Sequence, residues 1–234
     1  MNRVLYGIIS KKKQISPHIF EVAFDIGVFI ISIWVVEKDG VYFLIDTGIG
    51  SMAKYLVERY LDQRTIQAFF LTHGHSDHIG GLPALKDLLP DLPVIIDRRE
   101  LPYVTGQVPY PRRKKIEAKI FDEKFFTFLE GAEAETLLKQ AGLLPVFAPG
   151  HSPGHTCYYH KEDNVLLAGD MLTTNRFGRL RPPMKAFTAD MDQALKTAHN
   201  VLTQYPHVLL SVCHGGEIRE PLKELENSSW CQTK

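Results

Sequence analysis

Short apolar runs rich in β-branched and aromatic residues recur along the chain and predict β-strands. Several of these runs are apolar at every position, as in strands that are buried on both faces. The predicted strands are Val4–Ile9, His18–Phe24, Phe29–Val36, Val41–Ile45, Ala68–Thr72, Val94–Asp97, Leu144–Ala148, Thr156–His160, Val165–Gly169 and Val208–Val212.

Helical patterns lie between some of these strands. Asp190 and Gln193 form a capping-box pattern at the start of one helix, which stops before Pro206. Gly142 is placed to cap the C-terminal end of another helix. Because helices follow strands in both parts of the chain, the pattern predicts an α/β layered fold. The predicted helices are Met52–Asp62, Leu82–Leu89, Ala132–Ala141 and Asp190–Tyr205.

Two segments of the chain repeat one arrangement. Residues 39–46 read Asp-Gly-Val-Tyr-Phe-Leu-Ile-Asp, and residues 163–170 read Asp-Asn-Val-Leu-Leu-Ala-Gly-Asp. Each segment has tight-turn residues suited to a hairpin, then a buried strand, then an aspartate where the strand ends. This short match is expected if two similar halves of the chain pack face to face.

Composition and charge exclude several classes of protein. The chain has 234 residues, with 27 Lys and Arg against 27 Asp and Glu, which gives a formal charge of zero. That balance argues against a cationic nucleic-acid-binding protein, so we expect no nucleic-acid partner. No stretch approaches the ~18 consecutive apolar residues of a membrane span, and no membrane partner is expected. Three cysteines and a start unlike a secretory signal favour a reducing, cytoplasmic location.

The strongest chemical signal is a cluster of ligand-type residues. Residues 71–81 read Leu-Thr-His-Gly-His-Ser-Asp-His-Ile-Gly-Gly and follow a predicted strand. Imidazole and carboxylate groups bind zinc, manganese or iron. His73 and His75, two apart on an extended turn, can converge on one ion. If a helix begins near Asp77, then Asp77 and His78 turn aside and can reach a second ion. A lone histidine would indicate a solvated turn, but four such residues at this spacing favour a metal site.

Three later segments also place ligand-type residues where a predicted strand ends. Residues 149–155 read Pro-Gly-His-Ser-Pro-Gly-His, residues 166–170 read Leu-Leu-Ala-Gly-Asp, and residues 208–216 read Val-Leu-Leu-Ser-Val-Cys-His-Gly-Gly. Loops that follow strands are where α/β proteins build their sites. These segments would add His151, His155, Asp170 and His214 to the same site.

The His-x-His-x-Asp-His run and the ordered set behind it resemble the metallo-β-lactamase superfamily over about residues 29 to 216. The resemblance implies an α/β fold, a four-layer αββα sandwich of two similar halves. We expect a single domain of this kind over residues 1–234. Asp46 and His155 match positions that support the site from behind the ligands. The implied ligands are His73, His75 and His151 for a first ion, Asp77, His78 and His214 for a second, and Asp170 as a bridge between them.

Such a site implies a hydrolase with two divalent metal ions, with zinc expected first and manganese or iron as alternatives. Metal binding lowers the pKa of water toward ~7, so a hydroxide that bridges the ions would be the nucleophile. The metals would polarise the substrate carbonyl. Asp77 would orient the hydroxide and pass a proton to the leaving group. The expected substrate is a small ester, lactone, thioester or related carbonyl compound.

Two alternatives stay open at this point. One is an oxidoreductase that oxidises persulfides with a single iron, and the other is a non-catalytic, metal-stabilised binding protein. Within the hydrolases, Thr173 stands where many acyl-homoserine lactonases have a tyrosine, which disfavours a lactonase of that type. A small-molecule substrate is the expected partner. The oligomeric state is open, and a homodimer is one option.

Two residues beside the ligands are interpreted as structural. The stretch around Ser152 matches the serine-hydrolase elbow, but the next residue, Pro153, lacks the N–H that this mechanism uses. Ser152 is therefore interpreted as a turn residue. Cys213 is interpreted as a buried core residue, because strand alternation points it away from His214.

Candidate substrate contacts come from two loops. Arg176 follows Asp170 in an irregular stretch that would form the rim of the site, where it could bind an anionic group. Phe24 and Phe29 flank an apolar hairpin tip that overhangs the metals in the resembling family, although ordinary strand core is the alternative. The basic run at residues 111–115, Pro-Arg-Arg-Lys-Lys, is interpreted as a solvated loop.

Overall fold

A computed structural model describes residues 3–5, 8–116 and 121–231. Within these ranges the larger sheet has eight strands in chain order. Its neighbours pair antiparallel from the first strand to the fifth and parallel from the fifth to the eighth. The strands are β1 Arg3–Leu5, β2 Ile8–Gln14, β3 Ile19–Asp25, β4 Ile30–Lys38, β5 Val41–Ile45, β6 Ile66–Phe70, β7 Val94–Ile96 and β8 Thr127–Phe128.

The smaller sheet holds five of the described strands, which are β9 Leu143–Phe147, β10 Thr156–His160, β11 Val165–Leu167, β14 Leu209–Ser211 and β15 Glu217–Ile218. Their spatial order is β15-β14-β11-β10-β9. Among these described strands, β11 and β14 pair parallel, and the other neighbours pair antiparallel. Two further strands form a separate hairpin, β12 Thr173–Thr174 and β13 Leu180–Arg181.

Helices cover the outer faces of the two sheets. The described α-helices are α1 Met52–Tyr60, α2 Ser76–Ile79, α3 Leu82–Leu88, α4 Leu101–Val104, α5 Ala132–Ala141, α6 Met191–Gln204 and α7 Pro221–Glu226. Buried residues of α1, α3 and α5 share a core with the larger sheet, and those of α6 and α7 share a core with the smaller one. The chain therefore forms the α/β four-layer αββα sandwich that the family resemblance implied. Within the described ranges, no helix is long and apolar enough to cross a membrane.

The inner faces of the sheets pack on each other and exchange hydrogen bonds. Trp34 is fully buried, and its indole N–H donates to the Ser211 hydroxyl at 2.9 Å. The backbone N–H of Ser32 donates to the carbonyl oxygen of Cys213 at 3.1 Å. Because buried polar groups need partners, these bonds fix β4 against the end of β14 and the loop that follows it.

The repeated pattern of turn, strand and aspartate appears twice in the structure. Asp39 and Gly40 have φ of 51° and 78°, and Asn164 has φ of 52°, as tight hairpin turns require. Each hairpin leads into a strand, β5 or β11, that next pairs parallel with β6 or β14. Asp46 and Asp170 follow β5 and β11. The predicted similarity of the two halves is confirmed at this level.

The predicted elements agree with the structure except near the start of the chain. The predicted strand Val4–Ile9 is divided between β1 and β2, and residues 6–7 lie outside the described ranges. The structure instead continues β2 to Gln14 through lysine-rich residues that are mostly exposed. These lysines lack an apolar face of their own, so the strand is held by pairing with β3 rather than by a pattern visible in the sequence.

Candidate metal centre

The ligand-type residues meet where strands of both sheets end. His73 and His75 lie on the loop after β6, and His75 is the N-cap of α2. The first turn of α2 then carries Asp77 and His78 to another side of the loop, as the sequence predicted. The ends of β9, β11 and β14 bring His151, Asp170 and His214 to the same edge.

The first group consists of three buried imidazoles, those of His73, His75 and His151. The Nδ1 atom of His75 lies 2.9 Å from Nε2 of His73 and 3.0 Å from Nε2 of His151. Nitrogens on one tetrahedral zinc ion lie about 3.3 Å apart, given Zn–N bonds of about 2.0–2.1 Å. The three side chains therefore have the spacing of ligands to a common ion.

The second group contains His78, Asp170 and His214, with Asp77 beside them. Nε2 of His214 lies 3.1 Å from Asp77 Oδ2 and 3.3 Å from Asp170 Oδ2. Nε2 of His78 lies 3.4 Å from the other Asp170 oxygen, Oδ1. Asp170 Oδ2 is also 3.3 Å from His151 Nε2, so this carboxylate lies between the two groups.

The outer nitrogen of each of three ligand imidazoles has its own partner. His78 Nδ1 lies 2.7 Å from Asp46 Oδ2, and His214 Nδ1 lies 2.7 Å from the carbonyl oxygen of Ile30. His151 Nδ1 contacts the Thr188 hydroxyl at 3.3 Å. In a neutral imidazole, a proton held on Nδ1 by such a partner leaves Nε2 unprotonated and directed at the site.

Asp46 and His155 lie behind the ligands. Asp46 has a positive φ of 62° and accepts hydrogen bonds at 2.8 Å from the backbone N–H and the hydroxyl of Thr72. It thus orients both His78 and the start of the loop that carries His73. Nε2 of His155 accepts the backbone N–H of Asp170 at 3.1 Å.

Burial keeps the first group neutral. It lowers the pKa of His73 and of His75 well below the ordinary value, and neighbouring imidazoles lower both further. Burial likewise lowers the pKa of His151 to about 4. At neutral pH these nitrogens hold lone pairs rather than an extra proton, which is the form that binds metal.

In the second group a buried carboxylate stays ionised. Burial opposes ionisation of Asp170, but the imidazoles of His214 and His78 outweigh it and hold the Asp170 pKa well below its usual range. Burial also opposes a charge on His214, but Asp170 and other neighbours raise the pKa of His214 to about 12. The carboxylate therefore attracts positive charge to this position, as a cation site does.

The donor set fits bound metal ions. Among the described residues, His78 Nε2 and Asp170 Oδ1 are buried and make no hydrogen bond. They lie 3.4 Å apart, and buried polar atoms without partners are rare in proteins. Together with the clustered nitrogens of the first group, they form a nitrogen and carboxylate set that suits zinc, manganese or iron.

A cavity of about 230 Å³ opens onto these ligands. Asp77 lies in its wall with 22 % of its side chain exposed, and it is the accessible acid of the site. Phe29, as the sequence suggested, lines the cavity and packs edge-on against the His214 ring at 4.8 Å. Most of the wall is apolar, and its apolar side chains are those of Ile26, Phe29, Ile31, Ile49, Met184 and Phe187.

Two of the predicted substrate contacts lie elsewhere. Phe24 is fully buried in β3, where it packs on Tyr55, so the alternative interpretation as strand core describes it. Arg176 is exposed on the β12–β13 hairpin, its guanidinium stacked on Phe177, and it is not among the described residues that line the cavity.

The arginine at the cavity is Arg113, from the basic run interpreted as a solvated loop. Its side chain is half-buried, and Nη2 lies 3.1 Å from Nε2 of His75. The guanidinium lies 5.4 Å from the Tyr110 ring and 5.5 Å from the Phe187 ring. The flanking aromatic Tyr110 was the one signal in the sequence that distinguished this run from a solvated loop.

Ser152 and Cys213 are both buried. The Ser152 hydroxyl donates to Glu100 at 2.7 Å, an acidic residue that sequence reasoning missed entirely. The Cys213 sulfur lies near the second group, but its thiol contacts the carbonyl oxygen of Ser32 at 3.7 Å. Neither side chain is exposed to the cavity.

Comparison with known proteins agrees with this geometry. The sequence profile of the metallo-β-lactamase superfamily matches residues 26–214, which include every ligand-type residue of the two groups. The chain belongs to the metallo-β-lactamase superfamily. The crystal structure of the DIM-1 metallo-β-lactamase superposes with a TM-score of 0.70 at 16% identity, covering 92% of this chain and 94% of that one.

Curated relatives in this superfamily are named as hydrolases. The "Probable metallo-hydrolase YybB" of Bacillus subtilis (strain 168) is 32% identical over 209 residues, 88% of this chain and 91% of the relative. The "Atrochrysone carboxyl ACP thioesterase AgnL7" of Paecilomyces divaricatus is 34% identical over 165 residues, 68% of this chain and 46% of the relative. With the superfamily match, these relatives identify the chain as a metal-dependent hydrolase.

Proposed function

We propose that the chain is a dinuclear metal-dependent hydrolase of a small ester, lactone, thioester or related carbonyl compound. The observation that carries this proposal is the pair of donor groups separated by Asp170. His73, His75 and His151 would hold one ion, Asp77, His78 and His214 the other, and Asp170 would bind both. Zinc suits this set of nitrogens and carboxylates, and manganese or iron suits it as well.

Two bound ions would supply a water of lowered pKa and a Lewis acid for the carbonyl oxygen of the substrate. The protein's own contribution is the movement of a proton at Asp77. Its carboxylate is accessible from the cavity, and the imidazole of His78 helps to hold its pKa below the ordinary value despite burial. Asp77 would accept the proton released as water adds to the carbonyl carbon and pass it to the leaving group.

The cavity supports a substrate with an apolar body and a polar end. Phe29, Met184 and Phe187 line it, so an acyl chain or ring could displace water there. Arg113 lies beside the ligands at the same cavity. A guanidinium at this position would favour a substrate that carries a carboxylate or another oxygen-rich group. The thioesterase name of one relative is consistent with a carbonyl substrate of this kind.

The second donor group favours a dinuclear hydrolase over an oxidoreductase with a single iron, because His78 and His214 would have no ligand role in a mononuclear site. The test is a panel of lactones, thioesters, phosphodiesters and β-lactams assayed with the zinc-, manganese- and iron-loaded chain. We expect hydrolysis of at least one carbonyl substrate and no uptake of oxygen. Oxygen uptake that depends on a persulfide, with no hydrolysis across the panel, would contradict the proposal.

A further inference from the structure

Glu100 is a buried carboxylate that is not one of the proposed metal ligands. It is fully shielded from solvent and ends a short helical turn, Arg98–Glu100, directly after β7. Asp97 fixes that turn by accepting the backbone N–H of Arg99 at 2.8 Å. Burial raises the pKa of Glu100, while hydrogen bonds from its neighbours oppose that shift. A carboxyl group this deep requires partners, because burial of an unpaired one is unfavourable.

Both carboxylate oxygens of Glu100 accept hydrogen bonds. One binds the loop that carries His73 and His75, and the other binds the loop that carries His151. Oε2 accepts the backbone N–H of Gly74 at 3.0 Å, between His73 and His75. Oε1 accepts the backbone N–H of Gly154 at 2.6 Å, just before His155. The other two donors are side-chain hydroxyls. The Tyr110 hydroxyl donates to Oε2 at 2.6 Å, and the Ser152 hydroxyl donates to Oε1 at 2.7 Å.

The two glycines show that the loops are built to approach this carboxylate. A Cβ on Gly154 would lie 2.9 Å from the Glu100 Cγ and 3.0 Å from its backbone nitrogen. A Cβ on Gly74 would lie 2.2 Å from a methyl of Val104 and 2.4 Å from the Tyr110 hydroxyl. Side chains at these positions would push the loops away, so glycine permits the close contact.

We infer that Glu100 is a positioning residue that joins the two loops of the first ligand group and sets the spacing of His73, His75 and His151. These three side chains come from loops that are far apart in sequence, and the Glu100 carboxylate binds the backbone of both. Tyr110 extends the same contact, since its ring packs on the His75 ring at 4.5 Å. The inference rests on the metal site of the proposed function, but its test uses no substrate.

The test is the affinity of the metal-free full chain for Zn²⁺, measured by chelator competition, with melting temperatures taken with and without Zn²⁺. Glu100→Gln replaces an acceptor oxygen by an NH₂ group that faces a donor, so one loop loses its contact. We expect the affinity for one of the two ions to fall by about 10–100-fold, as is typical when a partner behind a metal ligand is lost. The rise in melting temperature that Zn²⁺ produces should shrink accordingly.

Asp97→Asn is the matched control, because Asp97 is also buried and belongs to the same turn, but its side chain bonds to Arg99 instead. We expect this variant to lose stability equally with and without Zn²⁺, and to keep its Zn²⁺ affinity within about threefold. If Glu100→Gln behaves as this control does, with unchanged affinity and a uniform loss of stability, Glu100 is merely structural and the inference is wrong.

Milder variants decide the question if Glu100→Gln does not fold. Tyr110→Phe and Ser152→Ala each remove one of the four hydrogen bonds and keep the carboxylate in place. Each should weaken Zn²⁺ binding by about two- to tenfold, the equivalent of one hydrogen bond. Affinities within the error of the unsubstituted chain for both variants would overturn the inference. Because only the metal is bound in these experiments, a chain that binds Zn²⁺ but hydrolyses nothing would refute the proposed function alone.

Discussion

At the scale of single residues, the candidate metal centre is defined by the atom that each side chain directs toward it. Nδ1 of His75 and Nε2 of His73 and His151 form one group, and these residues come from two loops far apart in sequence. Asp77 differs from these ligands because it is both close to His214 and accessible from the cavity. We therefore expect Asp77 to serve in metal binding and in proton transfer together.

Substitution of Asp77 separates these two roles. Asp77→Ala should lower kcat by at least about 10²–10⁴-fold, the usual contribution of a general acid or base, and should weaken metal binding. Asp77→Asn keeps an oxygen for the metal but cannot accept the proton, so it should retain more metal and remain nearly as inactive. The measurement is kcat and metal content of both variants on one active substrate. An Asp77→Asn variant with near-normal kcat would exclude the proton-transfer role.

Ser152 tests the competing serine mechanism. In the structure its hydroxyl donates to Glu100 and is buried, so Ser152→Ala removes one hydrogen bond worth about 0.5–1.5 kcal/mol. At saturating metal, kcat should stay within about tenfold of the original. A covalent acyl adduct on Ser152, or loss of activity with both ions bound, would replace the two-metal account by a serine nucleophile.

Arg113 and Arg176 form a matched pair of arginines, one at the cavity and one away from it. If Arg113 contacts an anionic group of the substrate, Arg113→Ala should raise KM for charged substrates about tenfold or more and change KM for neutral ones little. Arg176→Ala should leave both unchanged. Parallel effects of Arg113→Ala on charged and neutral substrates would show that Arg113 only supports the loop around His75.

At the scale of elements, the candidate ligands lie on loops that follow strands, and one helix end precedes the strand that leads to such a loop. Helix α5 ends at Gly142, which has a φ of 67°, as the sequence predicted, and β9 begins at the next residue. Because β9 leads to the loop that carries His151, this helix end lies upstream of the metal centre without touching it.

Gly142→Ala should therefore destabilise the fold and spare the site. An alanine in left-handed backbone costs roughly 1–2 kcal/mol, and its Cβ would also lie 3.2 Å from the His160 ring. Gly142→Asn should cost less, because asparagine tolerates this conformation better. Denaturant unfolding gives the free energies, and chelator competition gives the metal affinity. A loss of metal affinity with unchanged stability would contradict this separation.

The sequence predicted the elements whose stability is local or whose pattern is strong. Helix α5 and strands β5 and β10 have their predicted bounds, since apolar runs, turn residues and the glycine cap all agree there. The candidate ligand residues were visible because imidazole and carboxylate groups recur at strand ends. Contacts made only by tertiary packing were not visible: Glu100 and Arg113 reach the centre through loops whose course no periodicity encodes.

At the scale of the whole molecule, the two halves are joined by polar contacts as well as by the core. Glu21 of β3 lies beside Glu217 of β15, and Lys13 of β2 forms an ion pair with Glu217. Burial is the largest cause, and the charge of Glu217 is the next, of a rise in the pKa of Glu21 to about 7. This carboxyl group is therefore a titrating contact between the two sheets.

The raised pKa predicts a dependence of stability on pH. The folded chain holds the Glu21 proton up to about pH 7, whereas the unfolded chain releases it near its ordinary value of 4.5. The stability from this group is thus fully present below pH 4.5 and is lost as pH rises through 7. Glu21→Gln stays neutral, so at pH 8 it should be more stable than the original chain by roughly 1–3 kcal/mol.

At pH 4.5 the advantage of Glu21→Gln should largely disappear. Denaturant unfolding at both pH values, in excess chelator, measures the difference in free energy of unfolding between the two chains. Glu37→Gln, on the exposed side of β4, is the control. A constant difference between Glu21→Gln and the original chain at the two pH values would show that folding does not raise the pKa of Glu21.

Metal binding should also stabilise the molecule as a whole, because the ligands come from both halves and converge only in the folded state. With free metal at about 100 times its Kd, binding contributes about 2.7 kcal/mol per ion. Removal of metal should then lower the melting temperature by roughly 5–10 °C per ion in a chain of this size. The same melting temperature after verified removal would contradict the coupling of metal binding to folding.

The number of metal ions per chain is the measurement that tests the central claim most directly. Elemental analysis of the purified chain after saturation and removal of free metal should give two ions per chain. His78→Ala and His214→Ala should each lower that number toward one, because they remove ligands of the second group alone. One ion per chain at saturation, with the same number in both variants, would contradict the dinuclear site and the mechanism built on it.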